Sequence, residues 1–556
     1  MYLKQTVVII VVLTLFQKIC EAVTLTQVNT QSCFTTEKEI KSLQDIKNVI
    51  GELKKLAGYI YRQPPGETVV LDKIHMGIVF SAKQAIWELH AVYRNTECIL
   101  ADQLKTLSEK LKILRKGFNA GNADTLVIQI EVLQLTVSKI IEIKDESRAS
   151  DIMKSIKYNR TTYISHDEMT DILKDLVEEY PSQMSMYSIG KSGKGREIWV
   201  VTVSAEKPDE HVLLRPEIKY VGGIHGNEPV GGQVLIRFLA YLGQNYGKDD
   251  TITALMNSSR LHVLPMLNPD GFMKAYNKNP AGGSSDRICA GNKGRNTVTP
   301  ISVDMNRNFG PEYFKKSYNP EPSPETLAVK RWLEDFPFVL SLSLHGGAMV
   351  ASYPYDNKRL TKEERQNKDV FGSYSEAPDD DIFRQMALTY SYSHGRMYAW
   401  VLHLNCDWNF TDGISNGADW FYVKGGMQDY NYVKFGVFEI TIEMECCKYP
   451  DYSKMDDFWH ENLPSFMNSW KNIHRGIKGI ISDSRGNPVP NARVYIDSRK
   501  HPFRSTTQGE YWRILLPGTY NIRVKASGYK PFKQNVVVNE LELSGAAIVN
   551  ITLVDS

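Results

Sequence analysis

The chain has 556 residues, of which 42% are hydrophobic, 10% aromatic and 23% charged. Those fractions exclude a collagen-like, low-complexity or wholly disordered chain, and at roughly 150 residues per domain the length predicts about three or four domains. With 66 basic and 64 acidic side chains the formal net charge is +2, which indicates neither a nucleic-acid partner nor a polybasic membrane surface.

The first predicted element is a targeting signal over residues 1–22. Lys4 precedes the apolar run TVVIIVVLTLF, and small residues stand at Cys20 and Ala22. The run is only about half the length of a bilayer-spanning helix, so the pattern fits a secretory signal peptide cut after Ala22. No second membrane segment and no hydrophobic C-terminal tail follow. The expectation is a protein secreted to the extracellular space or held in secretory vesicles. Six cysteines remain after Cys20: Cys33, Cys98, Cys289, Cys406, Cys446 and Cys447. In an oxidising compartment they predict up to three disulfides, with every pairing open. Sequons at Asn159, Asn257, Asn409 and Asn550 are compatible with that route.

Residues 23–152 read as helical. Thr36 with Glu39 forms a capping box, and Ile40, Leu43, Ile50, Leu53, Ala57 and Ile60 fall near one face. Leu104, Leu107, Leu111 and Leu114 recur at helical spacing, and Pro64-Pro65-Gly66 separates two segments. The prediction is an all-α bundle of three or four helices whose stripes form a core. Nothing in it suggests catalysis, and a surface for a protein partner is the alternative use of such stripes. Over 153–473 the pattern changes to strands alternating with helices: EIWVVTVS, EIKYVGGIH, the helical VGGQVLIRFLAYLG, RLHVLPMLN and FVLSLSLHGG. This alternation predicts an α/β domain with parallel strands. Over 474–556, short β segments broken by turn signals such as Arg485-Gly486-Asn487-Pro488 predict a small all-β sandwich.

In α/β sheets the ligand site lies beyond the carboxyl ends of the strands. One predicted strand end carries His225 and Glu228, in GGIHGNEP, and another carries His345, in LSLHGG. Two histidines and one carboxylate leave a fourth tetrahedral position open to water, the pattern of a catalytic zinc site. A lone His-x-x-Glu pair is more often a surface pair. Its placement between strand and helix, with a second strand-end histidine, is what favours the metal.

The segments GGIHGNEPVG, LNPDGF, VDMNRNF, SLHGG, ASYPYD, GGMQDYNY and FEITIEMEC resemble the zinc metallocarboxypeptidases, most closely the regulatory branch that includes carboxypeptidases E, N, M and D. The resemblance covers about 155–556 and implies a multidomain protein: a central α/β carboxypeptidase domain with a mixed sheet, followed by a transthyretin-like β-sandwich. It leaves 23–152 unexplained. It implies one zinc ion per chain on His225, Glu228 and His345, with Asp304 orienting a ligand imidazole. It implies Glu443 as general base and acid, Arg295 as the oxyanion's cation, and Asn306 and Arg307 as the grip on the substrate's terminal carboxylate. Asp356 would pair with a C-terminal Arg or Lys, and Gln428 would take a further specificity position. By strand alternation alone Glu443 is not distinguished, because Glu439, Thr441 and Glu445 share its face. The chain departs from the pattern at Trp420-Phe421, where relatives read Trp-Tyr. Phe421 takes the place of the tyrosine that closes over substrate, with Tyr422 beside it. The resemblance also implies a Cys406–Cys446 bridge, with Cys289–Cys447 and Cys33–Cys98 as the remaining pairs. The function implied is removal of C-terminal Lys or Arg from peptides and proteins. The alternative is an inactive relative that binds peptide C-termini or acts through its flanking domains.

Overall fold

The computed structural model describes residues 160–283, 294–298, 300, 302–310, 321–358, 372–398, 406, 408–497, 499–539 and 546–556. The expected signal peptide, the helical bundle of 23–152, the Cys33–Cys98 pair and the Asn159 sequon lie outside the described residues. So does Cys289.

Helix α1 (His166–Glu179) begins at a reciprocal cap: Ser165 Oγ accepts from Glu168 N–H, and Glu168 accepts from Ser165 N–H at 2.9 Å. Met169, Leu173 and Leu176, spaced four and three apart, form its buried stripe. The eight strands that follow are β1 (Met184–Lys191), β2 (Glu197–Val203), β3 (Glu217–Gly222), β4 (Arg260–Leu264), β5 (Phe338–His345), β6 (Ala348–Tyr353), β7 (Ile414–Asn416) and β8 (Phe438–Glu445). They make one sheet in the order β1-β2-β4-β3-β5-β8-β6-β7.

The central strands β4, β3, β5 and β8 run parallel, while β1 with β2, β2 with β4 and β6 with β8 are antiparallel. The sheet is therefore mixed. Strands β3 and β5 are buried at every residue, and their polar positions find partners inside the sheet: Glu217 accepts from Arg260 at 2.8 Å and Lys219 donates to Ser341 at 2.8 Å. On one face Tyr220 packs against Phe238 of α2 (Val230–Asn245) and Phe466 of a long C-terminal helix, Met455–Lys471. On the other face Val221 joins Trp332 of α3 (Pro324–Asp335), Phe338 and Met305 in a second apolar cluster. Two covered faces make the sheet rigid, and its carboxyl edge inherits that rigidity.

Strands β9 (Ile477–Asp483), β10 (Arg493–Ile496), β11 (Phe503–Arg504), β12 (Glu510–Arg513), β13 (Gly518–Lys525), β14 (Phe532–Val538), β15 (Ala547–Ile548) and β16 (Ile551–Leu553) build the sandwich. One sheet has the order β11-β10-β13-β14. The other is β12-β9-β15, with β16 also pairing β9. Alternation is clean in β9, which buries Ile477, Gly479, Ile481 and Asp483, whereas β12 is buried at every residue. Buried ion pairs tie the sandwich to the α/β domain. His211 bridges Glu217 of β3 and Glu510 of β12 at 2.6 and 2.9 Å, and Asp379 receives Arg499 and Arg513. The short strand β11 has no counterpart in the sequence reading.

Candidate active site

Parallel pairing sets Gly222 of β3 beside Leu344 of β5, so both strands release their chains at the same edge. His225 leaves β3, His345 ends β5, and Glu228 stands two residues before α2. All three are buried to within 3% exposure. Glu228 Oε2 lies 2.9 Å from His225 Nδ1 and 3.2 Å from His345 Nδ1, and the three donor atoms fall within 4.8 Å of one another. Two imidazoles and a carboxylate converging in a dry site are the donor set of a zinc centre. The residues fit the ion in a second respect: His345 Nε2 is buried with no hydrogen-bond partner, so that ring is engaged only through Nδ1.

The outer layer completes the centre. Asp304 Oδ1 sits 3.0 Å from His225 Nε2, which turns Nδ1 toward the other donors. Asp304 also accepts from the Asn306 amide and, through Oδ2, from Arg295 Nε and Nη2 at 3.2 and 2.8 Å. Burial alone would raise the Asp304 pKa, but His225, Arg295 and Arg307 outweigh it and hold the carboxyl far below the usual range. Glu228 is likewise held well below its ordinary value, against its burial, by His225, His345 and Lys448. Lys448 Nζ donates to Glu228 Oε1 at 2.9 Å.

The three acids of β8 separate by partner. Glu439 Oε2 takes Lys219 Nζ at 2.9 Å and Ser341 Oγ at 2.6 Å inside the sheet. Glu445 Oε2 takes Arg396 at 2.6 Å. Glu443, registered opposite His345, lines the cleft with His225, Glu228 and His345, and its Oε2 has no partner. Burial and the nearby Glu228 charge push its pKa up, against His345 and Lys448.

The cleft has a volume of about 170 Å³. Arg295, Asn306, Arg307, Asp356, Phe421 and Glu443 all face it, together with the three donor residues. At the floor Asp356 is 6% exposed. Its Oδ1 accepts from Gln428 Nε2 at 2.8 Å, and Gln428 Oε1 accepts from the Thr441 amide at 2.8 Å. Gln428 is therefore the clamp on Asp356 rather than a wall of the cleft. Gly417 makes room for that acid, since a Cβ there would stand 1.9 Å from Asp356 Oδ1. Beneath, Asp429 accepts from the Asp356 and Asn357 amides at 2.9 and 3.0 Å. Asn306 Oδ1 accepts from the Met427 amide at 3.0 Å, leaving its NH2 group for the cleft.

Phe421 stands at the mouth, 40% exposed, its ring 4.6 Å from that of Trp420. Tyr422 does not line the cleft, and its hydroxyl is buried without a hydrogen-bond partner. Cys406 and Cys446 are bridged, and Cys447 is also disulfide-bonded. Lys448 and Asp429 had no individual signal in the sequence. Lys448 lies past the end of β8, where strand periodicity stops, and Asp429 acts through backbone amides that only the folded loop brings to it.

Residues 169–465 match the zinc carboxypeptidase family and 476–554 the carboxypeptidase regulatory-like domain. Mouse carboxypeptidase M is 40% identical over 378 residues, 68% of this chain and 81% of that protein. The rat carboxypeptidase N catalytic chain is 35% identical over 407 residues, covering 70% and 85%. Mouse carboxypeptidase D is 39% identical over 394 residues, 70% of this chain but only 27% of its own length. The chain belongs to the zinc carboxypeptidase family, in the branch with a regulatory-like domain after the catalytic one, and its enzyme class is metallocarboxypeptidase.

Proposed function

We propose that this zinc carboxypeptidase removes single C-terminal Lys or Arg residues from peptides and proteins. The observation that carries the reading is Asp356. It is a buried carboxylate at the cleft floor, with no cation in ion-pair contact among the described residues. An unpaired buried charge is costly, so such a floor favours a substrate that brings a cation and disfavours apolar C-termini.

His225, Glu228 and His345 would hold the zinc, which when bound acidifies a water molecule and polarises the scissile carbonyl. The chain's own groups do the rest. Glu443 Oε2, without a competing partner, accepts the water proton and returns a proton to the leaving amine nitrogen. Arg295, anchored to Asp304 through Nε and Nη2, directs Nη1 toward the metal side of the cleft, where a fixed cation stabilises developing negative charge. Arg307 and the Asn306 amide grip the terminal carboxylate, which restricts cleavage to the last residue. Phe421 covers the entrance with an apolar ring.

The Cys406–Cys446 bridge and the signal-like first 22 residues support secretion. Among the described residues no helix is long and apolar enough to cross a membrane. The catalytic domain is proposed as 153–473 and the sandwich as 474–556. A role for 23–152 as a surface for a protein partner stays a proposal resting on sequence pattern alone. The rival reading, an inactive binder of peptide termini, is disfavoured because donors, base and both carboxylate clamps face one cleft. Purified protein should contain one zinc per chain and hydrolyse a short Arg-ended peptide, and a chelator should stop it. Zinc without hydrolysis of any peptide would leave the binder reading standing.

A further inference from the structure

The solvated face of the β11-β10-β13-β14 sheet has an unusual charge pattern. Val494, Ile496, Ile522 and Val524 point inward and are buried, so their neighbours point out. The outward positions include Arg504 of β11, Arg493 of β10, Arg523 and Lys525 of β13, and Lys533 of β14, all exposed. No strand position on this face carries an acid. Asp497 lies past the end of β10 with its carboxylate on the Asn521 amide, and at the β11 edge Arg504 also lines a cavity that contains Glu334 and Asp335.

The register makes the clustering sharper. Arg493 is directly opposite Arg504 on one side and Lys525 on the other, and Arg523 is directly opposite Lys533. Like charges facing each other across antiparallel strands destabilise a sheet. The fold carries that cost three times on one face, in a chain whose overall charge is nearly balanced. A compensating contact is Arg523 over the ring of Tyr495, 5.1 Å to the centroid.

We propose that this face binds a linear sulfated polysaccharide of the glycosaminoglycan class. Three adjacent strands place Arg504, Arg493 and Lys525 in a row about 10 Å across, and the second row, Tyr495, Arg523 and Lys533, lies about 7 Å further along the strands. Apart from the cavity at the Arg504 edge, the rows form a flat cationic plane, suited to an extended polyanion. Guanidinium forks, three of the five cations, match the paired oxygens of a sulfate. Tyr495 places a flat ring in the second row against which a sugar face can rest. A bilayer is less well matched, because Val537 is the exposed large apolar residue of this face and sits at its far edge. Duplex DNA is disfavoured because, among the described residues of this face, no helix or ribbon projects to enter a groove. The inference does not depend on the peptidase reading.

The test compares the intact chain with two variants of equal net charge. One is Arg493→Thr/Arg523→Thr/Lys525→Thr. The other removes three exposed lysines elsewhere, Lys174→Gln/Lys248→Gln/Lys278→Gln. Binding to an immobilised heparin oligosaccharide is measured at physiological salt, with the circular-dichroism spectrum and the thermal unfolding midpoint as the measure of folding. The sheet variant should bind roughly 100-fold more weakly, the control within a few-fold of the parent, and both should keep the parental spectrum and unfolding midpoint. Equal losses in both variants, or no retention of the parent, would overturn the proposal. Tighter binding to phosphatidylserine vesicles or duplex DNA than to heparin would overturn the choice of polyanion.

Discussion

The two ends of the cleft handle buried charge in opposite ways. At the metal end the two acids around the donor site have cations and imidazoles: Asp304 holds Arg295 and His225, and Glu228 holds Lys448, Arg295 and both histidines, while Glu443 Oε2 is left open. At the floor Asp356 and Asp429 lie together and take hydrogen bonds from neutral amides. Glu228 and Asp304 are held below their usual range, whereas burial raises Glu443. Burial, then the Asp429 charge, pushes Asp356 well above its usual value, and burial pushes Asp429 up to about 7. A group that is short of positive charge in the free protein gains most from a ligand that supplies it. The metal end is organised for chemistry on any peptide, and the floor is organised for one kind of side chain.

The largest expected effect breaks the metal end. Glu443→Gln removes the proton acceptor and leaves the three donors untouched, so kcat should fall by about 10²- to 10⁴-fold while zinc content stays at one per chain. Glu445→Gln is the matched control: it loses only its Arg396 partner, and turnover should persist. If Glu445→Gln were the dead variant, the assignment of the base would move two residues along β8.

Asp356→Ala breaks the floor. Arg-ended peptides should lose roughly 30- to several-thousand-fold in kcat/KM, the range of about 2–5 kcal/mol for removing a buried charged partner. Leu-ended peptides should change far less. A parallel loss for both substrates would show that Asp356 supports the fold of the cleft and does not read the side chain.

The pH dependence sharpens the contrast. Burial first, and then the like charges of Asp429 and Glu439 against the opposing Arg307, keep Asp356 protonated to higher pH than a free carboxyl. A cationic substrate needs the ionised form. KM for Arg-ended peptides should therefore fall as pH rises toward about 7, the value to which Asp429 is shifted, and the two acids should titrate as a pair. Asp429→Asn removes the negative neighbour, lowers the Asp356 pKa and moves the fall in KM to lower pH. A pH profile identical for Arg- and Leu-ended peptides would assign the titration elsewhere.

The smallest effect lies at the mouth. A hydroxyl added by Phe421→Tyr could donate one neutral hydrogen bond to substrate, worth about 0.5–1.5 kcal/mol, so KM should drop several-fold with a smaller change in kcat. Tyr422→Phe should be nearly silent, because that hydroxyl is turned away from the cleft. An unchanged Phe421→Tyr beside a badly impaired Tyr422→Phe would transfer the covering role to Tyr422.

Much of this protein was already written in its residue order. The strand–helix alternation of the α/β domain, the strands of the sandwich other than β11, and His225, Glu228 and His345 as candidates follow from local patterns, because a strand end and the turn after it span only a few residues. The Glu443 assignment came from a resemblance, since alternation placed Glu439 and Glu445 on the same face. Only packing separated them, by supplying Lys219 to one and Arg396 to the other. Lys448 and Asp429 meet partners 220 and about 70 residues away, contacts that no local period encodes. Charge shows the same division. Composition reports a near balance of 66 and 64, and that sum is true. Strand pairing decides where the charges stand: it draws Arg493, Arg504, Arg523, Lys525 and Lys533, scattered over some forty positions, onto one face, because register across a sheet is a tertiary property.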